Sequence, residues 1–194
     1  DLDPDAVVLE EGEARGPDGG AVALSALIEP SEGGRLRAYG EAESGLKPPS
    51  YGVHFAEVEV DRQTGHVDLL TFVAAQDVGY AINPMMIEGQ LEGAICHSTE
   101  FALFSELRLD DGIPQNANLA DYPALSPWEM PDTLVCEIIE SDEQTGPYGA
   151  KGIGTPSMPP VAPAIMNALR DATGTRFRAP PVTDEAVFEE VGGA

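Results

Sequence analysis

The 194-residue sequence predicts an α+β fold: a mixed sheet with a long β-hairpin, one long helix, and a second helix after a glycine-rich loop. Three observations predict it. "VHFAEVEVDRQTGHVDLLTFVAAQDV" sets two β-rich runs around the turn "DRQTG". "NPMMIEGQLEGAICHSTEFALFSEL" repeats apolar residues at three- and four-residue intervals, the period of a helix with one buried face. Strands and helices mix without strict βαβ alternation, which favours α+β over α/β.

Residues 1–34 read as a weakly patterned acidic lead segment, with "GPDGG" as a turn and "AVALSALIEP" as a short apolar element ended by Pro30. From Arg35 to Gly52 the chain reads mostly as loop, broken by Pro48, Pro49 and Ser50. In the hairpin, Phe55, Val58 and Val60 mark the first strand and Val67, Leu69, Phe72 and Val73 the second, with Gly65 supplying the positive φ of the turn. Asn83 caps the long helix and Pro84 suits its first position. Ile87, Leu91, Ala94, Ile95, Phe101, Ala102 and Leu107 form its apolar stripe, and "DDG" closes it. A Pro-rich stretch (113–131) leads to "TLVCEIIES", expected as a buried strand. "PPVAPAIMNALRDATG" is the second helix, ended by Gly174, and "DEAVFEEV" gives a terminal helical turn or two. Residues 1–194 are expected to form one domain.

Ten basic residues face 34 acidic ones, for a net charge of −24. Such a surface repels phosphate backbones, so neither nucleic acid nor anionic membrane is an expected partner. It is either a solvated, highly soluble surface or a face that docks a basic subunit. No apolar run approaches the roughly 18–20 residues that cross a bilayer. Cys96 and Cys136 lack CxxC spacing, so free thiols in a cytoplasmic protein are the expectation.

Two stretches have the composition of a site. Gln90, Gly93, Ala94 and His97 are spaced i, i+3, i+4, i+7 on the long helix and form one ridge, stripped to Gly and Ala at its centre. A glycine inside a helix costs roughly 1 kcal/mol against Ala, so it marks a close approach, either of another element or of a bulky polar ligand. The loop "GPYGAKGIGTP" (146–156) holds four glycines, two prolines and Lys151, one of only two lysines. Its successive N–H groups can form an anion-binding nest ahead of a helix, or the loop can be a tight structural turn. It is not a phosphate-binding P-loop, because GxxxxGK[ST] is not matched. His54, His66 and His97 have no metal-ligand spacing, and no GxSxG nucleophile pattern is present.

Four segments in order, "YGVHFAEVEVDRQTGHV", "VGYAINPMMIEGQLEGAI", "LADYPALSPWEMP" and "TGPYGAKGIGTP" followed by "APAIMNAL", resemble the C-terminal part of the molybdopterin-binding subunit of the xanthine dehydrogenase and aldehyde oxidase family. The likeness runs from about residue 50 to 183, so 35–194 would be the family's C-terminal molybdopterin-binding subdomain. It implies that Gln90 reaches the molybdenum–molybdopterin cofactor. It also implies that Lys151, Gly152, Ile153 and Gly154 lie beside the metal end. The family hydroxylates an aldehyde or N-heterocycle carbon with water, and electrons leave through iron–sulfur centres and FAD on partner chains or domains. The partners implied are the remainder of the molybdopterin-binding subunit, iron–sulfur subunits and a flavin subunit.

The chain departs from the family pattern at two places. Thr155 stands where the loop "GxGE" has the glutamate that acts as base, and losing a general base costs about 10²–10⁴-fold. His97, Ser98 and Glu100 stand where the family has a glutamine and two glycines. The resemblance therefore implies a component of a molybdenum hydroxylase, competent only with the rest of the large subunit. The alternative is a non-catalytic paralogue retained for assembly or interaction.

Overall fold

The computed structural model describes residues 6–28, 35, 37, 39, 40 and 48–192. Contacts divide the chain into two compact units, Asp1–Glu43 and Ser44–Ala194. The expected stop at Pro30 and half of the expected 35–52 loop (36, 38 and 41–47) lie outside the described residues.

In the first unit β1 (Val8–Glu10), β2 (Glu13–Arg15) and β3 (Ala21–Ala23) form an antiparallel meander, followed directly by α1 (Leu24–Ile28). "GPDGG" turns β2 into β3, with Gly19 at φ 81° and the Gly16 N–H donating to the Gly20 carbonyl at 2.9 Å. The single apolar element expected over 21–28 is thus a strand and a helix in succession. β1 and β2, three residues each, are too short to show a period.

The second unit is a mixed three-stranded sheet, order β4-β5-β8, of β4 (Gly52–Val60), β5 (Val67–Gly79) and β8 (Thr133–Glu140). β4 and β5 are the expected hairpin, and β8 pairs parallel with β5. Gly65 turns the hairpin at φ +79°, and a Cβ there would stand 2.0 Å from the Asp184 carbonyl oxygen, so both backbone and space demand glycine. Asp184 opens α4 (Asp184–Val191), which caps this end of the hairpin.

α2 (Pro84–Leu103) starts as expected, with Asn83 Oδ1 accepting from the Met86 N–H at 3.2 Å. It ends four residues earlier than its apolar stripe implies. The Phe104 and Ser105 N–H groups both turn back to the Glu100 carbonyl, at 2.9 and 2.8 Å, and leave Leu107 outside the helix and exposed. Beyond it lies a two-rung hairpin of β6 (Leu109–Asp110) and β7 (Ile113–Pro114). α3 (Val161–Thr173) ends at Gly174, left-handed at φ 81°, as its sequence requires.

α3 lies against β4 and α2 against β8, so both helices cover one face of the sheet. Phe72, Ala74, Ile95, Ala102, Ile165, Leu169 and Val187 fill the space between and are almost fully buried. A smaller cluster of Val78, Ile87 and Leu91, with Ile138 and Ile153 packed on it, forms at the C-terminal end of β5. β8 is an edge strand, only half-buried, and not the buried strand its apolar run suggests. Val53 and Phe55, on β4 residues that alternate with the core-facing ones, remain 57% and 63% exposed.

His66, beside the hairpin turn, joins two elements: Nδ1 lies 3.0 Å from Asp184 Oδ2 and Nε2 lies 3.4 Å from Asp68 Oδ1. The hydrogen bond to Asp184 raises its pKa above the ordinary 6.5, partial burial opposes, and the charges of Asp184 and Asp68 add to the rise. A raised histidine pKa stabilises the fold fully below 6.5 and loses that contribution as pH climbs through the folded value. His66→Gln is therefore expected to lower stability at pH 5.5 and to leave it nearly unchanged at pH 9. The acid-side loss should be under about 1 kcal/mol, because the pair is half-exposed. Urea unfolding at the two pH values measures it.

Candidate functional site

The two stretches singled out by composition meet. The C-terminal end of β5 (Val78), the turn into α2 (Tyr80, Ile82, Asn83), the start of α2 (Met86, Ile87, Gln90) and the glycine loop (Ala150, Lys151, Ile153) line one hollow of about 310 Å³. At its rim a Cβ on Gly154 would stand 3.3 Å from Gln90 Oε1, so helix and loop approach to side-chain distance. A hollow of similar size, about 340 Å³, lies near Val58, Arg62, Thr173 and Val191, between the hairpin and the helix ends.

The loop is built in two halves. Its first half is sewn to β5: the Tyr80 N–H donates to the Gly149 carbonyl at 2.7 Å, and the Lys151 N–H donates to the Val78 carbonyl at 2.9 Å. Tyr148 adopts φ 54°, a left-handed conformation rare for a side-chain-bearing residue, and Gly149 follows at φ 79°. The second half begins at Gly152. Among the described residues, the N–H groups of Gly152, Ile153 and Gly154 donate no hydrogen bond within the chain. The carbonyls of Ile153 and Gly154 both accept from Ser157 Oγ, at 2.7 and 2.8 Å, and Ser157 is fully buried. In a trans peptide N–H and C=O point opposite ways, so the N–H groups of Gly154 and Thr155 face away from Ser157. The Ile153 side chain packs on the Val78–Ile87–Leu91 cluster and is partly buried there.

Lys151 is in the loop as expected, but its ammonium is not free for an anion. Its side chain is 6% exposed, with Nζ 2.6 Å from Asp77 Oδ2 and 3.9 Å from Glu143 Oε2. Nζ also lies 5.6 Å from the centre of the Tyr51 ring. Burial pushes the Asp77 carboxyl up, but hydrogen bonds from Lys151, the Gly79 N–H and Ser141 outweigh it and hold the group below its ordinary value.

The helix ridge divides in the fold. Ala94 turns into the core, whereas Gln90 and His97 are exposed and Gly93 is half-exposed. A Cβ on Gly93 or on Gly89 would meet nothing within 4 Å, so no element of the described chain makes the close approach expected there. Glu100, in place of a glycine, reaches the Leu125 N–H at 3.4 Å and ties the Pro-rich strap to α2. Thr155 is exposed at the start of a single 3-10 turn, Thr155–Ser157. Sequence reasoning missed Asp77 and Ser157, because only the tertiary structure brings them to the loop.

The remaining reactive side chains lie outside this hollow. His54 has both ring nitrogens buried with no hydrogen bond of good geometry and stacks edge-on against Phe72, and burial lowers its pKa against a smaller opposing contribution from nearby Gln76. The thiols of Cys96 and Cys136 are unpaired, and burial followed by the charges of Glu92 and Glu88 pushes Cys136 up to about 11. Burial also raises Cys96, so both thiols hold less thiolate near neutral pH than an ordinary cysteine. Among the described residues no three His, Cys, Asp or Glu side chains are grouped to hold a metal ion, and no helix is long and apolar enough to cross a membrane.

The molybdopterin cofactor-binding domain family matches residues 1–131, a span that contains Gln90 and ends before the glycine loop. The putative xanthine dehydrogenase molybdenum-binding subunit of Escherichia coli is 33% identical over 171 residues, 87% of this chain and 23% of that protein. This chain belongs to the xanthine dehydrogenase and aldehyde oxidase family of molybdopterin-binding subunits. The aldehyde oxidoreductase molybdenum-binding subunit of Escherichia coli is 31% identical over 172 residues, 85% of this chain and 24% of that one. The solved structure of quinoline 2-oxidoreductase from Pseudomonas putida 86 superposes with a TM-score of 0.73 at 26% identity, covering 96% of this chain and 26% of that one. The chain thus spans about a quarter of the length of the curated relatives it matches.

Gly93→Ala is expected to stabilise this chain by about 0.5–1 kcal/mol, since the new methyl enters open space in a helix interior. Chemical denaturation measures the gain.

Proposed function

We propose that this chain is the C-terminal part of the molybdopterin-binding subunit of a molybdenum hydroxylase acting on an aldehyde or N-heterocycle, and that the hollow beside Gln90 cradles the cofactor. The carrying observation is that Gln90 and Ile153 line one hollow, with Gly154 approaching Gln90 Oε1, and that among the described residues the Gly152, Ile153 and Gly154 N–H groups donate no hydrogen bond within the chain. Amide donors suit an anionic group such as a phosphate or a metal-bound oxygen or sulfur ligand. The open flank at Gly89 and Gly93 leaves room for a large ligand or for the rest of the subunit. The residues therefore fit the group that the family description names.

Gln90, Gly152, Ile153 and Gly154 would hold the cofactor, Gln90 through its carboxamide and the loop through its main chain. When bound, the cofactor supplies the redox centre at which oxygen from water is transferred to a substrate carbon. Ser157 fixes two carbonyls on the inner side of the loop and so keeps the adjoining N–H groups turned outward. Iron–sulfur and flavin subunits would carry the electrons away, and the remainder of the large subunit would complete the cavity. The two unpaired thiols suit a cytoplasmic setting.

Purified at native levels with the remainder of its large subunit, the complex is expected to contain molybdenum and pterin. A complex with neither overturns the reading. Gln90→Leu is expected to weaken cofactor retention up to about tenfold, the loss of one hydrogen bond, as read by metal and pterin analysis.

Thr155 favours a second reading, a non-catalytic relative kept for assembly, because an unassisted hydroxyl is not a base near neutral pH. Thr155→Glu in the assembled complex distinguishes the two. A gain of about 10²–10⁴-fold in turnover supports an enzyme whose base was lost, and unchanged turnover supports the assembly role.

A further inference from the structure

We propose that the buried Lys151–Asp77 ion pair is a latch that orients the Gly152–Gly154 amides, which makes Lys151 a positioning residue and not an anion ligand. The proposal rests on the reading of this hollow as a cofactor cradle. Lys151 is held to the end of β5 twice. Its N–H donates to the Val78 carbonyl at 2.9 Å, and its Nζ donates to Asp77 Oδ2 at 2.6 Å. The next residue, Gly152, carries the first of the unpartnered N–H groups, so the fixed point directly adjoins the presented donors.

The anchor is itself immobilised from three sides. Asp77 Oδ1 accepts from the Gly79 N–H at 3.0 Å and from Ser141 Oγ, just beyond β8, at 2.8 Å. The Asp77 N–H donates to the Tyr51 carbonyl at 2.8 Å, and its own carbonyl accepts from Ser50 Oγ at 3.2 Å. The pair is largely buried, with side chains 6% and 13% exposed. For Nζ to reach an anion in the hollow it would have to abandon Asp77 and leave a buried carboxylate without its counter-charge, which is strongly unfavourable. While the pair stays closed, Asp77 cancels the lysine charge, and Glu143 at 3.9 Å adds a further negative one. The attraction for an anion must then come from the amides, and the lysine acts by holding them in place.

Asp77→Asn separates the two roles, because it releases the lysine charge while removing the latch. Positioning by Lys151 predicts that molybdenum and pterin per complex fall at least tenfold in both Asp77→Asn and Lys151→Met. It also predicts that hydrogen exchange at the Tyr80 and Lys151 amides, which sew the loop to β5, speeds at least tenfold, while α3 amides are unchanged. If Asp77→Asn keeps or gains cofactor and only Lys151→Met loses it, Lys151 is a ligand and the latch is overturned. Should Asp77→Asn fail to fold, Ser141→Ala removes a single bond from the carboxylate and must speed exchange at Tyr80 and Lys151 severalfold. Unchanged exchange there also overturns the latch. A wild-type complex without molybdenum or pterin defeats the cradle reading alone, and the exchange measurements still decide the latch.

Discussion

The second unit depends on β5. It is the one strand of its sheet bonded along both edges, to β4 on one side and β8 on the other. Its last residues, Asp77–Gly79, are where the rest of the molecule is tied in. The register with β8 shifts there, between Asp77 and Gly79, and the main chain turns to receive other partners. The Val78 carbonyl takes the Lys151 N–H, and the Gly79 carbonyl takes the Ser141 N–H at 3.1 Å. Gly79 sits at φ +65°, with the position of a Cβ only 2.1 Å from the Gly149 carbonyl oxygen. Any larger residue would push the glycine loop off the strand. The same strand end, through Val78, packs against Ile87 and Leu91, which sets the start of α2 and hence Gln90. One strand terminus therefore fixes both walls of the hollow.

That arrangement answers a problem set by composition. A chain of net charge −24, with ten basic residues against 34 acidic ones, repels anions at long range. Lys151, which lines the hollow, is neutralised by Asp77. Main-chain N–H groups offer partial positive charge without a titratable group. Their direction is set by the fold, and for Gly154 by Ser157, which holds the carbonyl of the same peptide. Such donors work at short range only, which suits a cofactor enclosed between polypeptides better than a freely diffusing anion.

What could be read in the sequence was local. The β4–β5 hairpin follows from alternation and Gly65, the start of α2 from Asn83 and Pro84, the end of α3 from Gly174. Each signal lies within a few residues of the feature it specifies. What could not be read is tertiary. The parallel pairing of β8 with β5 joins residues some 60 positions apart and leaves β8 at an edge, while its apolar run looks the same as that of a buried strand. The choice of Asp77 as the partner of Lys151, out of 34 acidic residues, leaves no trace in spacing. At the hollow, the motifs read in the sequence include Gln90 and the loop around Ile153, which the fold brings together. The inward turn of Ala94 and the outward turn of Gly93 depend on which side of α2 meets the sheet, and adjacent small residues do not reveal it.

The glycines themselves carry the last step. Gly79 and Gly65 are required by φ and by contacts inside this chain, so the fold alone accounts for them. Gly89, Gly93 and Gly152 are not: none has a left-handed φ, and a Cβ at any of them would meet nothing within 4 Å. Two of these lie inside α2, where each costs roughly 1 kcal/mol relative to Ala. A sequence under selection only for this fold would replace them at no steric cost. Their presence on the exposed side of α2 and at the first unpartnered N–H of the loop is accounted for if another body lies against those surfaces. The chain spans about a quarter of the length of the relatives it matches, so the rest of a large subunit, with a cofactor between, is a body of sufficient size.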